Sequence, residues 1–155
     1  MVISPDSLLY TPEGRYHWSV PRVKQAWADS KQEYARCLAS GTFTRVVLLM
    51  GIPAAGKSTW LTANHEDDVL YFDATFDLPF KRKPYIGLAH AVGVPVEIVW
   101  LDTPLSVCIE RNAARSEDRR VPEGVLRATQ SKIADKPPTE AEGATVTRIT
   151  HGGAA

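Results

Sequence analysis

The segment Gly51–Thr59, with the sequence GIPAAGKST, carries residue types at a spacing that can bind phosphate. Gly51 and Gly56 allow the backbone to fold around an anion, so that the N–H groups of the loop, those of Ala54 and Ala55 included, point inward. The N-terminus of a following helix adds partial positive charge at the same place. This segment is therefore expected to hold the phosphates of a nucleotide.

A cation and two hydroxyl groups come directly after Gly56. Lys57 is expected to reach the terminal phosphates, Ser58 to ligate Mg²⁺ through its hydroxyl, and Thr59 to contact the inner phosphate. The apolar run 46–50 before the loop is typical of a buried parallel strand, and a helical pattern begins at Ser58. This order predicts a P-loop that binds ATP with Mg²⁺. The alternative, a chance glycine-rich turn, is disfavoured because strand, loop and helix are all in the order that the motif needs.

Predicted strands and helices alternate along the rest of the chain. The strands cover 1–4, 46–50, 69–72, 96–101 and 144–150, and the helices cover 21–40, 58–64, 83–92, 104–115 and 121–133. This alternation predicts an α/β fold of the P-loop NTPase or kinase type, with a mainly parallel five-stranded sheet and helices on both faces.

The bulk composition limits the classes of partner. The 155 residues have the length of one domain and a formal net charge of zero, so a nucleic acid would have to be held by a local patch such as the basic run Lys81–Lys83. Cys37 and Cys108 lie in predicted helices and are expected to be reduced thiols. With no apolar membrane segment and no secretion signal visible, the expected location is the cytoplasm, that of the host if the protein is viral. Residues 151–155 are expected to fray.

The segment 109–127, IERNAARSEDRRVPEGVLR, narrows the kind of P-loop protein. It resembles the lid region of the polynucleotide kinase family, and the phage 5′-end kinases in particular. The matching residues are Arg111, Asn112, Arg115, Val121, Pro122, Val125, Leu126 and Arg127. Gly51-Ile52-Pro53, Trp60 and Asp73-Ala74-Thr75 are also similar to that family, so that the resemblance covers most of residues 46–133.

The resemblance implies roles for several side chains. Arg115 is expected to project from the lid helix onto the transferring phosphate, and Arg111 to support nucleotide binding. Asp73 is expected to hold Mg²⁺ through water or to orient the acceptor. For the two arginines, a solvated helix face with i,i+4 spacing remains the alternative.

The family carries its general base, an aspartate, on the strand after the P-loop helix, and the gap from Ser58 to Asp73 is too short for that strand. The missing unit resembles the front of the chain, where the segment VISPDSLL ends a short strand near Asp6. We therefore expect a single domain over 1–155 that is circularly permuted, with a base strand and helix in 1–42 and the P-loop, lid and remaining sheet in 43–150. If 1–42 is instead an unrelated helical extension, Asp6 is a turn residue and Asp73 is the base.

The expected reaction is ATP-dependent transfer of a phosphoryl group to a hydroxyl of nucleic acid, with DNA as the first candidate. The 5′-end kinases carry an arginine after the base where this chain has Leu9. The acceptor is therefore either a 5′-hydroxyl end or a hydroxymethylated DNA base such as 5-hydroxymethyluracil. A small-molecule kinase and a non-catalytic nucleotide-binding regulatory module are the alternatives. The sequence leaves the oligomeric state open.

Overall fold

Five short segments pair as an all-parallel sheet in the order β1-β3-β2-β4-β5. The strands are β1 (Val2–Ile3), β2 (Arg45–Met50), β3 (Val69–Asp73), β4 (Val96–Asp102) and β5 (Thr145–Thr150). The computed structural model describes residues 1–150, so the fraying expected of residues 151–155 lies outside the described residues. The central strand β2 is buried from Val46 to Met50, as its unbroken aliphatic sequence predicts for a strand covered on both faces.

The helices that connect the strands are α1 (Val20–Ala39), α2 (Lys57–Asn64), α3 (Pro79–Ala91), α4 (Leu105–Ala113) and α5 (Glu123–Asp135). Helix α1 begins after Ser19, whose side chain accepts a hydrogen bond from the backbone N–H of Arg22. Helix α3 begins at Pro79 rather than at the predicted residue 83, because a proline suits a first helical position. Within residues 1–150, none of the helices has the length and apolar character required to cross a membrane.

Helices cover both faces of the sheet, as the neighbouring side chains of Tyr71 and Phe72 in β3 show. The Phe72 ring lies 5.7 Å from that of Tyr34 in α1 and 4.6 Å from that of Tyr85 in α3. On the opposite face, the Tyr71 hydroxyl donates to the carbonyl of Asn64 at the end of α2. The P-loop NTPase-type α/β fold predicted from the alternation of elements is therefore confirmed.

The front of the chain is part of this sheet. Strand β1 pairs in parallel with β3, with Val2 opposite Tyr71 and Ile3 opposite Phe72. Helix α1 then leads past β3 to the central strand β2, and β2 is followed by β3 on one side while β4 lies on its other side. The carboxyl ends of all five strands meet at one edge. The point next to β2 where the connections diverge is where such sheets bind ligands.

Candidate active site

The loop between β2 and α2 has the backbone conformation that phosphate binding requires. A Cβ atom on Gly51 would lie 3.0 Å from the carbonyl oxygen of Leu101, so only glycine fits there without a shift. Gly56 has a φ of 101°, and Ala54 has a φ of 66°, a left-handed conformation that is unfavourable for a non-glycine residue. The Thr103 hydroxyl holds the loop by donating to the carbonyl of Ala55 at 2.7 Å.

Lys57 lies folded back onto this loop. Its ammonium group donates to the carbonyls of Gly51 at 3.0 Å and Ile52 at 3.3 Å. Burial lowers the pKa of Lys57, the carboxylate of Asp73 acts against that effect, and the positive charge of Arg115 adds to it. Within residues 1–150, no carboxylate pairs with this partly buried cation, and the phosphates of a nucleotide would supply an anion.

Ser58 and Thr59 are exposed in the first turn of α2, beside Lys57. Within residues 1–150, no group of three or more His, Cys, Asp or Glu side chains could hold a metal ion by itself. Magnesium in nucleotide sites is held largely by substrate phosphates and water, with one or two protein ligands. The residues present fit such a site, with the Ser58 hydroxyl as a ligand and Asp73 at the adjacent strand end.

The two carboxylates expected near the phosphates both lie at this edge of the sheet. Asp73 ends β3, and burial raises its pKa, while the ammonium of Lys57 lowers it and the negative charge of Asp6 raises it further. Asp6 lies just after β1 in the short 3-10 helix Pro5–Leu9. It is close enough for its charge to raise the pKa of Lys57 as well. One carboxylate oxygen of Asp6 accepts a hydrogen bond of 2.7 Å from the hydroxyl of Tyr16.

The two lid arginines differ in their positions. Arg111 is in the last turn of α4, and its guanidinium lies 3.5 Å from the carbonyl of Ala54 in the P-loop. The expectation that Arg115 projects from the lid helix is wrong, because α4 ends at Ala113 and the N–H of Arg115 closes a turn onto the carbonyl of Asn112. Arg115 is nevertheless partly buried and near enough to lower the pKa of Lys57.

The lid loop is closed by a side chain that joins its two ends. Asn112 is buried, and its amide donates to the carbonyl of Val121 at 2.6 Å and accepts from the N–H of Val121 at 3.0 Å. Arg115 and Arg119 lie in the loop between these two residues. Arg119 extends across to the ring of Tyr10, with 5.7 Å between its guanidinium carbon and the ring centroid.

Only part of the basic run Lys81–Lys83 is available for the surface patch suggested by the sequence, since Lys83 is exposed and Lys81 partly exposed. Arg82 is completely buried, where it pairs with Glu142 at 2.8 Å and donates to the carbonyl of Phe76. Lys81 pairs with the buried carboxylate of Asp77 at 2.7 Å. The Lys81 pair is local to the start of α3, whereas the Arg82 pair joins α3 to a distant segment, which the sequence pattern does not signal.

One residue of the site, Thr103, and one contact, that of Tyr16 with Asp6, were not predicted from the sequence. Thr103 has a position that signals its role, because a hydroxyl directly after β4 falls at the same edge as the P-loop. Tyr16 has no such signal, since its contact with Asp6 depends on the turn between them.

The comparison with protein families gives a separate indication. Residues 62–136 match the family model described as an AAA domain. The match covers just under half of the 155 residues and begins after Ser58, so the phosphate-binding signature lies outside it. No curated protein matches the chain.

The sheet order, the P-loop and this family similarity define a P-loop NTPase fold. The similarity of residues 62–136 supports a nucleotide-binding protein of the kinase-like kind, and thus a phosphotransferase in general.

Proposed function

We propose that this protein transfers the terminal phosphate of ATP to a hydroxyl group of nucleic acid. The observation that carries the proposal is the arrangement at one sheet edge, where the P-loop after β2 lies beside Asp73 at the end of β3 and Asp6 just after β1. The charges of Asp6, Asp73 and Arg115 all reach Lys57 in that loop. A phosphoryl transfer needs this set, because positioning and electrostatic stabilisation supply most of its rate.

Each residue of the set has one task. The loop amides and Lys57 hold the phosphates, and Arg115 stabilises the charge that develops on the phosphoryl group. Ser58, with Asp73 nearby, would hold Mg²⁺, which when bound neutralises phosphate charge. Asp6 accepts the proton of the acceptor hydroxyl on the carboxylate oxygen that Tyr16 does not occupy. The acceptor oxygen forms the new bond to phosphorus as the bond to the leaving diphosphate breaks.

The order of elements in the chain fits a rearranged member of the kinase group that the sequence resembles. In that group the base strand follows the P-loop helix, whereas here β1 and α1 precede β2. We describe this as an exchange of two neighbouring strand–helix units rather than as a circular permutation. A circular permutation would join the former first and last elements, and here α1 rather than β5 leads into β2.

A small-molecule hydroxyl is the second candidate acceptor. The burial of Arg82 and the pairing of Lys81 with Asp77 favour it, because they leave fewer cations of this run to bind a phosphate backbone. The formal net charge of zero favours it as well. Polymer binding releases counterions, so a steep salt dependence of acceptor binding would indicate nucleic acid and a flat one a small acceptor.

The proposal is tested by incubating the protein with γ-labelled ATP, Mg²⁺ and four acceptors: 5′-hydroxyl DNA, 5′-hydroxyl RNA, DNA with hydroxymethylated bases, and free nucleosides. We expect label on a nucleic-acid hydroxyl. Asp6→Asn should lower kcat by roughly 10²-fold or more, the range for removal of a general base.

Asp135→Asn is the matched control, because Asp135 is an exposed carboxylate at the end of α5. It should leave kcat unchanged. Label on nucleosides alone would establish the second candidate. Slow ATP hydrolysis without label on any hydroxyl would indicate a regulatory nucleotide-binding module. Full activity of Asp6→Asn, together with loss of activity in Asp73→Asn, would indicate that Asp73 is the base.

A further inference from the structure

The turn between Asp6 and α1 is held more firmly than an ordinary surface loop. Tyr10 and Tyr16 pair across it in an antiparallel bridge, and the N–H of Thr11 donates to the carbonyl of Arg15 at 2.8 Å. Gly14, with a φ of 82°, makes the reversal possible. We call residues 10–16 the tyrosine turn.

The side chain of Arg22 in helix α1 holds the chain on both sides of the tyrosine turn. The guanidinium of Arg22 donates to the carbonyl of His17 at 3.0 Å and to that of Leu9 at 3.4 Å. The N–H of His17 also donates to the carbonyl of Leu9 at 2.8 Å. These contacts fix the chain on both sides of the turn, so that the position of the Tyr16 ring relative to Asp6 is set by the backbone.

The hydroxyl of Tyr16 uses this fixed position for one contact, a hydrogen bond of 2.7 Å to Asp6. The ring is partly buried and lies edge-on to Tyr10, with 5.4 Å between the ring centroids. Burial, followed by the hydrogen bond to Asp6, raises the pKa of Tyr16 above its ordinary value. The phenol therefore stays protonated at neutral pH and remains a donor to the carboxylate.

We propose that Tyr16 is a positioning residue for Asp6, holding one carboxylate oxygen so that the other faces the acceptor hydroxyl. This inference rests on the proposed function, in which Asp6 is the base. An exposed aspartate rotates freely unless a partner restrains it, and a misplaced base loses much of its effect.

The lid loop also contacts the tyrosine turn. Arg119 lies over the Tyr10 ring. The pKa of Asp118 is lowered, first by a hydrogen bond from the Ser116 side chain and also by one from the backbone of Tyr16. The tyrosine turn therefore contacts both the proposed base and the lid loop.

The test compares Tyr16→Phe with Tyr10→Phe in the complete protein. Both variants keep the ring and the edge-on packing, and only Tyr16→Phe removes the hydroxyl that binds Asp6. We expect Tyr16→Phe to lower kcat for phosphoryl transfer by roughly tenfold, the scale of a hydrogen bond to a charged group. The Kd for ATP and the melting temperature should match those of Tyr10→Phe, which keeps its kcat.

Asp6→Asn and the double variant complete the cycle. If the two residues act as a unit, adding Tyr16→Phe to Asp6→Asn produces no further loss of kcat. The inference is overturned if Tyr16→Phe keeps the kcat of Tyr10→Phe while Asp6→Asn loses activity, or if the two losses multiply. If Asp6→Asn is fully active, the proposed base itself is wrong.

Arg22→Gln serves if Tyr16→Phe does not fold. This variant keeps the Tyr16 hydroxyl and loosens the contacts that position it. A lowered kcat with an unchanged Kd for ATP supports the inference. An unchanged kcat in a folded Arg22→Gln variant contradicts it.

Discussion

At the scale of single residues, the site holds charges that burial disfavours. Burial lowers the pKa of Lys57 and raises that of Asp73, so both side chains resist the ionised state that phosphoryl transfer uses. Ala54 adds an unfavourable left-handed backbone conformation in the same loop. Such features lower the stability of the protein without its nucleotide, and a bound phosphate would compensate for the cation and the strained loop.

Asp73→Asn is expected to stabilise the nucleotide-free protein at neutral pH. Because burial raises the pKa of Asp73 even with Lys57 nearby, the protonated form favours folding below the ordinary pKa of 3.8. That contribution is lost as the pH rises through the raised pKa of the folded state. The gain of the variant in free energy of unfolding should therefore be small near pH 3.5 and larger at about pH 7. Urea unfolding at a series of pH values measures it.

The exposed Asp135 provides the comparison for this measurement, since Asp135→Asn should show little pH-dependent gain. A difference between Asp73→Asn and wild type that is constant with pH, or that shrinks as the pH rises, would show that the Asp73 carboxylate is not destabilised by the fold.

At the scale of elements, the lid owes its shape to Asn112. Helix α4 ends at Ala113 and α5 begins at Glu123, and the loop between them carries Arg115. The Asn112 amide pairs with both backbone groups of Val121 and thereby sets the distance between the two ends of the loop. This contact thereby constrains the loop that carries Arg115.

If Arg115 stabilises the transferring phosphate as proposed, Asn112→Leu is expected to lower kcat by about tenfold or more, because Arg115 loses its position. It should also destabilise the fold by roughly 2 kcal/mol, because the N–H and the carbonyl of Val121 lose their partner. The kcat and the stability of Asn112→Asp should lie between those of Asn112→Leu and wild type, since a carboxylate can still accept from the N–H of Val121. Steady-state kinetics and thermal unfolding provide the two measurements.

Asn64→Asp is a control on the same type of side chain, because Asn64 is exposed and its amide donates to the carbonyl of Trp60 within its own helix. Asn64→Asp should change neither kcat nor the stability of the fold appreciably. If Asn112→Leu keeps the wild-type kcat, the contact between Asn112 and Val121 does not position Arg115.

At the scale of the whole molecule, the front unit and the rest of the chain share one core. The Tyr34 ring of α1 packs 5.2 Å from that of Tyr85 in α3, and its hydroxyl donates to the carbonyl of Tyr85 at 2.7 Å. Trp27 of α1 lies 5.9 Å from Phe72 and 6.1 Å from Phe76, measured between ring centroids. The site depends on these aromatic contacts, because they connect the front unit, with β1 and Asp6, to the strands that carry the P-loop and Asp73.

Tyr34→Ala is expected to lower the free energy of unfolding by roughly 3–5 kcal/mol, the range for removal of a large buried aromatic side chain. Unfolding should remain a single cooperative transition, because the two parts share their core. Denaturant unfolding followed by far-UV and near-UV circular dichroism tests both statements. Gln32→Ala, on the exposed side of α1, serves as the control. Two separate transitions would mean that residues 1–42 form an independent module.

Local patterns along the chain predicted the strands, the helices and the phosphate-binding loop. The aliphatic run before Gly51, the spacing of Gly56, Lys57 and Ser58, and the strand end at Asp73 all depend on neighbours in sequence. Periodicity and turn chemistry act over a few residues, which is why the sheet and its parallel strands could be derived in advance. The start of α3 was missed because Pro84 lies inside a helix that begins at Pro79, whereas a proline in a sequence usually indicates the start of a helix.

Only the tertiary structure decided which distant residues meet. The burial of Arg82 against Glu142, the clamp between Asn112 and Val121 and the bond from Tyr16 to Asp6 depend on how separate elements pack. A sequence lists the charges and hydroxyl groups of a chain, but whether each is buried, paired or free is fixed by packing and by the desolvation that follows it. The sequence by itself therefore determined the fold and the phosphate-binding chemistry, while the tertiary structure decided which side chains surround that chemistry and which are used to hold the fold.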